Sequence, residues 1–133
     1  MPAVLTIPRP VLEAVIAHAR AEYPKECCGL LAGSAGRVIR YHPLVNELQS
    51  PTAYRSEPRS MLAAMKAMRA DATDLVAIYH SHPSGEPVPS KRDVAENEYG
   101  ETVYVIIGLG GPEAEVRAWL LREQVIEVDL YID

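Results

Sequence analysis

Asp74-Leu-Val-Ala-Ile-Tyr-His80-Ser-His82-Pro-Ser-Gly-Glu-Pro-Val-Pro-Ser90-Lys-Arg-Asp93 holds the elements around which the rest of the chain is arranged. The run from Asp74 to Tyr79 has the length and apolar composition of a buried strand. Strand side chains repeat with period two, so His80 and His82 leave the same face with Cα atoms roughly 6.6 Å apart. That spacing lets two imidazoles converge on one metal ion, and neutral imidazole is a good zinc ligand. Pro87 and Pro89 lead into a helix beginning at Ser90, whose first turn carries Asp93. A carboxylate there closes a set of three ligands and leaves a fourth tetrahedral position for water. That is the pattern of a catalytic zinc rather than a structural one.

Ser90-x-x-Asp93 has a second reading. It is also the signature of a helix N-cap, in which the hydroxyl bonds a backbone N–H and the carboxylate reaches back. Taken alone, the two residues favour the cap. Two histidines on one strand face, a Gly/Pro-rich loop and then Ser and Asp on one helix face call for a common cause, and a metal centre supplies it. Capping and ligation are compatible.

The chain has 133 residues, 48% hydrophobic and 23% charged, the proportions of one globular domain spanning 1–133. Its net charge of −5 argues against a nucleic-acid partner, which selects for basic faces. No stretch reaches the roughly 20 apolar residues of a membrane span. The start, Met-Pro-Ala-Val-Leu-Thr-Ile, lacks the basic beginning and apolar core of a secretory leader. Cys27 and Cys28 are adjacent and make neither a disulfide framework nor a Cys-x-x-Cys motif. A cytoplasmic protein is the expectation.

Outward from the central stretch, Val4–Ile7 reads as a strand. Leu12, Val15, Ile16, Ala19 and Tyr23 then mark one apolar face of a helix that Pro24 ends. Residues 28–32 and 37–41 read as two strands of a hairpin around Gly33–Gly36. Asn46–Pro58 is loop-like, with Tyr54–Ser56 a candidate edge strand. Met61, Leu62, Met65 and Met68 mark a second helix whose Met-rich stripe reads as core filling. Residues 102–107 form a second buried strand. Gly108-Leu-Gly-Gly-Pro112 is a turn rather than a phosphate loop, because residues 114–121 alternate like a strand instead of opening a helix. Residues 126–133 alternate as a half-solvated strand. The expected fold class is α/β: a mixed, mostly antiparallel sheet with about three packed helices.

Hydrolysis at such a zinc needs a group to move protons. The His-Glu-x-x-His motif is missing here, so the base comes from elsewhere, and Glu26 is the best candidate. It stands between the first helix and the apolar strand beginning Cys27-Cys28-Gly29. Composition alone would leave it a helix-end residue facing water.

Glu26, His80-x-His82-Pro and Ser90-x-x-Asp93 together resemble the signature of the JAMM/MPN+ zinc metalloproteases. Tyr23-Pro-Lys-Glu-Cys-Cys-Gly-Leu-Leu31 is similar to the glutamate strand of small bacterial members. Asn46 and Ser50-Pro51-x-x-Tyr54 are similar to their middle segment. The resemblance runs from about residue 5 to residue 107. It implies the cytidine-deaminase-like JAMM/MPN fold and one zinc ion held by His80, His82 and Asp93. It further implies that Glu26 is the general base and acid, and that Ser90 donates a hydrogen bond to the developing oxyanion.

The resemblance also implies a substrate: a peptide or isopeptide bond after the C-terminal Gly-Gly of a ubiquitin-like or β-grasp sulfur-carrier protein. Asn46–Pro58 is then the expected wall of a narrow groove for that tail, which would lie as an added strand. Rival readings are a non-catalytic scaffold of the same fold, a Cys–His hydrolase using Cys27 or Cys28, and a branch of the superfamily named for DNA repair. A homodimer is compatible with the sequence.

Overall fold

The candidate metal and proton-transfer residues lie at the ends of two neighbouring strands and on a short helix that follows the second. The structure, a computed structural model, describes residues 4–97 and 101–133; the reading of Met1 to Ala3 falls outside them. In chain order the elements are β1 (Val4–Ile7), α1 (Arg9–Glu22), β2 (Cys28–Ser34), β3 (Arg37–Leu44) and α2 (Pro58–Asp71). They continue as β4 (Asp74–His82), α3 (Lys91–Ala95), β5 (Val103–Gly108), β6 (Glu115–Leu121) and β7 (Val125–Ile132).

The strands follow one another in the order β1-β3-β2-β4-β5-β6-β7 and close into a barrel. Antiparallel pairs are β2–β3, β2–β4, β5–β6 and β6–β7. Parallel pairs are β1–β3, β1–β7 and β4–β5. The mixed α/β expectation is borne out, with three helices among the described residues. Closure was not foreseen, because it rests on a seam too small to leave a sequence pattern: Thr6 pairs with Arg37, and its N–H donates to Gly36 O.

Period-two alternation sends β4 into two apolar clusters. Ala77 and Tyr79 join Leu5, Val15, Leu31, Val105 and Leu120 on the side covered by α1. Ile78 joins Cys28, Leu30, Ile106 and Trp119 on the side that carries Ala64 and Met68 of α2. His80, two residues beyond Ile78, shares this second side, and so does His82.

Several local expectations shift. The hairpin turn is tighter than expected: Ala35 (φ 51°) and Gly36 (φ 77°) form a two-residue loop with both φ positive. β2 therefore extends to Ser34, and at the end away from the turn β3 runs on to Leu44, opposite Cys28. Tyr23 does not sit on the apolar face of α1. It is extended at the C-cap (φ −49°, ψ 134°), so the helical period has already stopped, and the residue is 56% exposed. The methionine stripe is only half core. Ala64 and Met68 turn inward one helical turn apart, with Met61 packed against them, while Leu62 and Met65 lie one residue round the helix and stay exposed. Tyr54–Ser56 contributes an isolated bridge, Asn46 to Ser56, rather than a strand.

Candidate metal centre

Strand register explains why Glu26 comes to the histidines. In the antiparallel β2–β4 pair Cys28 stands opposite His80. Cys27 continues the pairing beyond β2, its N–H donating to Ser81 Oγ at 2.8 Å and its carbonyl accepting from Ser81 N at 3.2 Å. One residue before Cys27, Glu26 lies within electrostatic reach of His82 and Asp93. Alternation then sends Glu26, Cys28, His80 and His82 to one face, and Cys27 to the other.

His80, His82 and Asp93 offer ligand atoms that all lie within 4.8 Å of one another. His80 Nε2 is 3.3 Å from His82 Nε2 and 3.2 Å from Asp93 Oδ1; His82 Nε2 is 3.0 Å from Asp93 Oδ2. Tetrahedral ligands at about 2.0–2.1 Å from zinc stand about 3.3 Å apart, so the spacing fits such an ion. The donor set of two imidazoles and a carboxylate fits it chemically as well.

The electrostatics agree. Burial lowers the His80 pKa despite Asp93 beside it. Burial also pulls on His82, but its hydrogen bonds to Asp93 and to Glu86 O win and raise it. Burial disfavours the Asp93 carboxylate, yet hydrogen bonds from both imidazoles hold its pKa well below the usual carboxylate range. The trio thus gathers one carboxylate and two imidazoles whose ring nitrogens converge, a donor set suited to a cation.

Asp93 is aimed by the helix cap. Ser90 Oγ accepts from Asp93 N at 3.0 Å while Asp93 Oδ2 accepts from Ser90 N at 2.9 Å, a complete capping box. The cap reading and the ligand reading therefore describe one geometry. The Ser90 oxygen is used as an acceptor, which leaves its O–H hydrogen available to donate.

Glu26 is 5% exposed, and its Oε1 is buried with no hydrogen-bond partner among the described residues. Burial pushes its pKa up to about 7, against the pull of His82. The solvent-facing alternative for Glu26 is thereby excluded. The thiol alternative fails too: Cys27 and Cys28 are each 1% exposed, Cys27 lies on the side away from the histidines, and burial pushes both thiols up.

The loop from Pro83 to Pro89 is held down by groups the sequence did not flag. Gly108 pairs with His82, and a Cβ there would lie 2.6 Å from Pro87 N. Trp119 Nε1 donates to Pro87 O at 2.9 Å, and Leu109 N donates to His82 O at 3.1 Å. Gly108 and Gly110 thus serve close approach to this loop, where the sequence signalled only a turn. A cleft beside Asp93 is lined by Leu48, Tyr54, Arg55, Arg92 and Tyr104, among others. Asn46 does not line it as expected. It is 3% exposed and ties the loop internally, donating to Glu26 O and Ala53 O and accepting from Leu48 N and Arg55 N.

The profile of prokaryotic homologs of the JAB domain matches residues 8–122. The chain belongs to this family.

Among JAB-domain relatives, a probable TtuB-protein conjugate cleaving protease of Thermus thermophilus is 46% identical over 90% of this chain and 78% of its own. A CysO-cysteine peptidase of Mycobacterium tuberculosis is 38% identical over 92% of this chain and 86% of its own. A solution structure of a Desulfitobacterium hafniense protein matches with TM-score 0.90 and 32% identity, covering 97% of this chain and 92% of that one. A JAB1/MPN domain protein from Archaeoglobus fulgidus shares the fold, with TM-score 0.61 and 17% identity over 95% of each chain. The resemblance to JAMM/MPN+ proteins read from the sequence is borne out.

Proposed function

We propose that this chain is a zinc-dependent peptidase or isopeptidase that cuts after the C-terminal Gly-Gly of a ubiquitin-like or sulfur-carrier protein. The carrying observation is the convergence of His80, His82 and Asp93 beside a buried carboxylate with an unpartnered oxygen. The names of the Thermus and Mycobacterium relatives support the substrate class.

His80, His82 and Asp93 would hold the zinc, which when bound supplies Lewis acidity to a carbonyl and acidity to water. Glu26, with an elevated pKa set by burial, takes a proton from the attacking water and returns it to the departing amine. The C–N bond breaks, a C–O bond forms, and the Glu26 carboxylate is regenerated. Ser90 directs its remaining O–H hydrogen to the oxygen on which negative charge develops. The cleft wall from Leu48 to Ser56 receives the extended tail. The whole sequence, 1–133, works as a single domain. The free thiols of Cys27 and Cys28 suit a cytoplasmic setting, and no described helix is long and apolar enough to cross a membrane.

The test is incubation with Gly-Gly-ended carrier proteins bearing a C-terminal extension or an amide-linked lysine, with and without a chelator, and mass analysis of the products. Release of the carrier ending in Gly-Gly, stopped by chelation and restored by zinc, is the expected result. Intact substrates with zinc-replete protein would sink the reading.

A further inference from the structure

The three candidate ligands are not supported alike. His82 Nδ1 lies 2.9 Å from Glu86 O, and Asp93 is held by Ser90 N. His80 Nδ1 is buried and has no hydrogen-bond partner among the described residues. Its neighbours in register are Cys28 and Ile106, whose side chains offer no strong acceptor. A metal-binding histidine ordinarily takes its orientation from a partner on the other ring nitrogen, and His80 lacks one.

What His80 has is a ring on its face. Tyr54 stacks on the imidazole with centroids 4.7 Å apart and planes inclined by 26°. Tyr54 is itself held firmly. Asn46 bonds the carbonyl of Ala53 at 3.0 Å and the N–H of Arg55 at 3.1 Å, bracketing Tyr54 on both sides, and the same side chain donates to Glu26 O. One buried amide thus fixes both the Glu26 backbone and the ring over His80.

We propose that Tyr54 is the positioning residue of His80, its stacked ring setting the plane of a ligand that lacks the hydrogen bond which orients His82. This rests on the reading of His80 as a metal ligand. The contact is through the ring face, so the aromatic ring is required and the hydroxyl is not.

The experiment compares native protein, Tyr54→Phe and Tyr54→Leu. It measures zinc affinity by competition with a chelator, the cobalt(II) absorption spectrum, and the melting temperature of each metal-free protein. Tyr54→Phe retains affinity and spectrum. Tyr54→Leu loses about 10–100-fold in affinity, the usual cost of losing a group that orients a ligand, with an altered cobalt spectrum. In the metal-free native protein the His80 ring protons are displaced upfield by the Tyr54 ring current.

A folded Tyr54→Leu protein with unchanged affinity and spectrum overturns the proposal, as does an equal loss in Tyr54→Phe. If the leucine variant does not fold, Tyr54→Met takes its place, and absence of the ring-current shift in native protein overturns the proposal alone. Failure of the native protein to take up zinc overturns the ligand assignment itself, a separate result from normal uptake by the leucine variant.

Discussion

Ser90 and Asp93 bond each other twice, hydroxyl to backbone and backbone to carboxylate, and the carboxylate oxygen that closes this box is the one beside His82 Nε2. The cap of a five-residue helix therefore fixes a candidate ligand in place. A helix so short has little stability of its own, so its orientation depends on such contacts.

Ser90→Ala removes the cap acceptor and the O–H donor but leaves the backbone N–H that holds Asp93. Stability falls by about 1 kcal/mol, as for other N-caps, and turnover by about 10²-fold. Thermal melting and kcat measured on one preparation separate the two effects. A lower melting temperature with native kcat would reduce Ser90 to a cap.

Glu26→Gln keeps the shape and the zinc but cannot move a proton. Turnover drops by about 10²–10⁴-fold with metal content unchanged. Asp93→Asn and His82→Ala instead lose metal and activity together. Elemental analysis beside the assay distinguishes the groups, and an active, zinc-replete His82→Ala protein would break the ligand assignment.

The burial of Glu26 has a pH signature. Its folded pKa of about 7 lies above the usual 4.5, so between these values the folded state keeps a proton that the unfolded chain has lost. The associated stability is fully present below pH about 4.5 and is lost as pH rises through about 7. Metal-free native protein therefore melts progressively lower than metal-free Glu26→Gln across that window. A difference between the two melting curves that does not vary with pH would show that Glu26 is not buried as an acid.

Trp119→Phe leaves the buried Pro87 carbonyl without its donor. The expected loss is about 1–3 kcal/mol, with faster release of zinc to a chelator as the 83–89 loop loosens. Unchanged melting and release would show that Gly108 and the backbone bonds hold the loop unaided.

The candidate triad was legible because its parts are close in sequence and obey local periods: two on a strand, one helical turn for Ser90 and Asp93. The strand pattern likewise revealed the apolar runs, since burial on two faces leaves a dense hydrophobic signature. The methionine stripe misled because its outer half, Leu62 and Met65, has the composition of a core but lies one residue off the inward face. Asn46 belongs to a segment whose position between the hairpin and the second helix suggests a groove wall, yet its side chain turns inward. Its four backbone partners are spread from Glu26 to Arg55, a closure that composition does not announce.

The sequence by itself determined the chemistry available: which side chains could hold a cation, which carboxylate could move a proton, and which family carries that set. Only the tertiary structure decided that Glu26 is buried within electrostatic reach of His82, that Tyr54 covers His80 and that Trp119 reaches Pro87. These meetings depend on strand register and loop closure across tens of residues. Local propensity carries no information about contacts at that range.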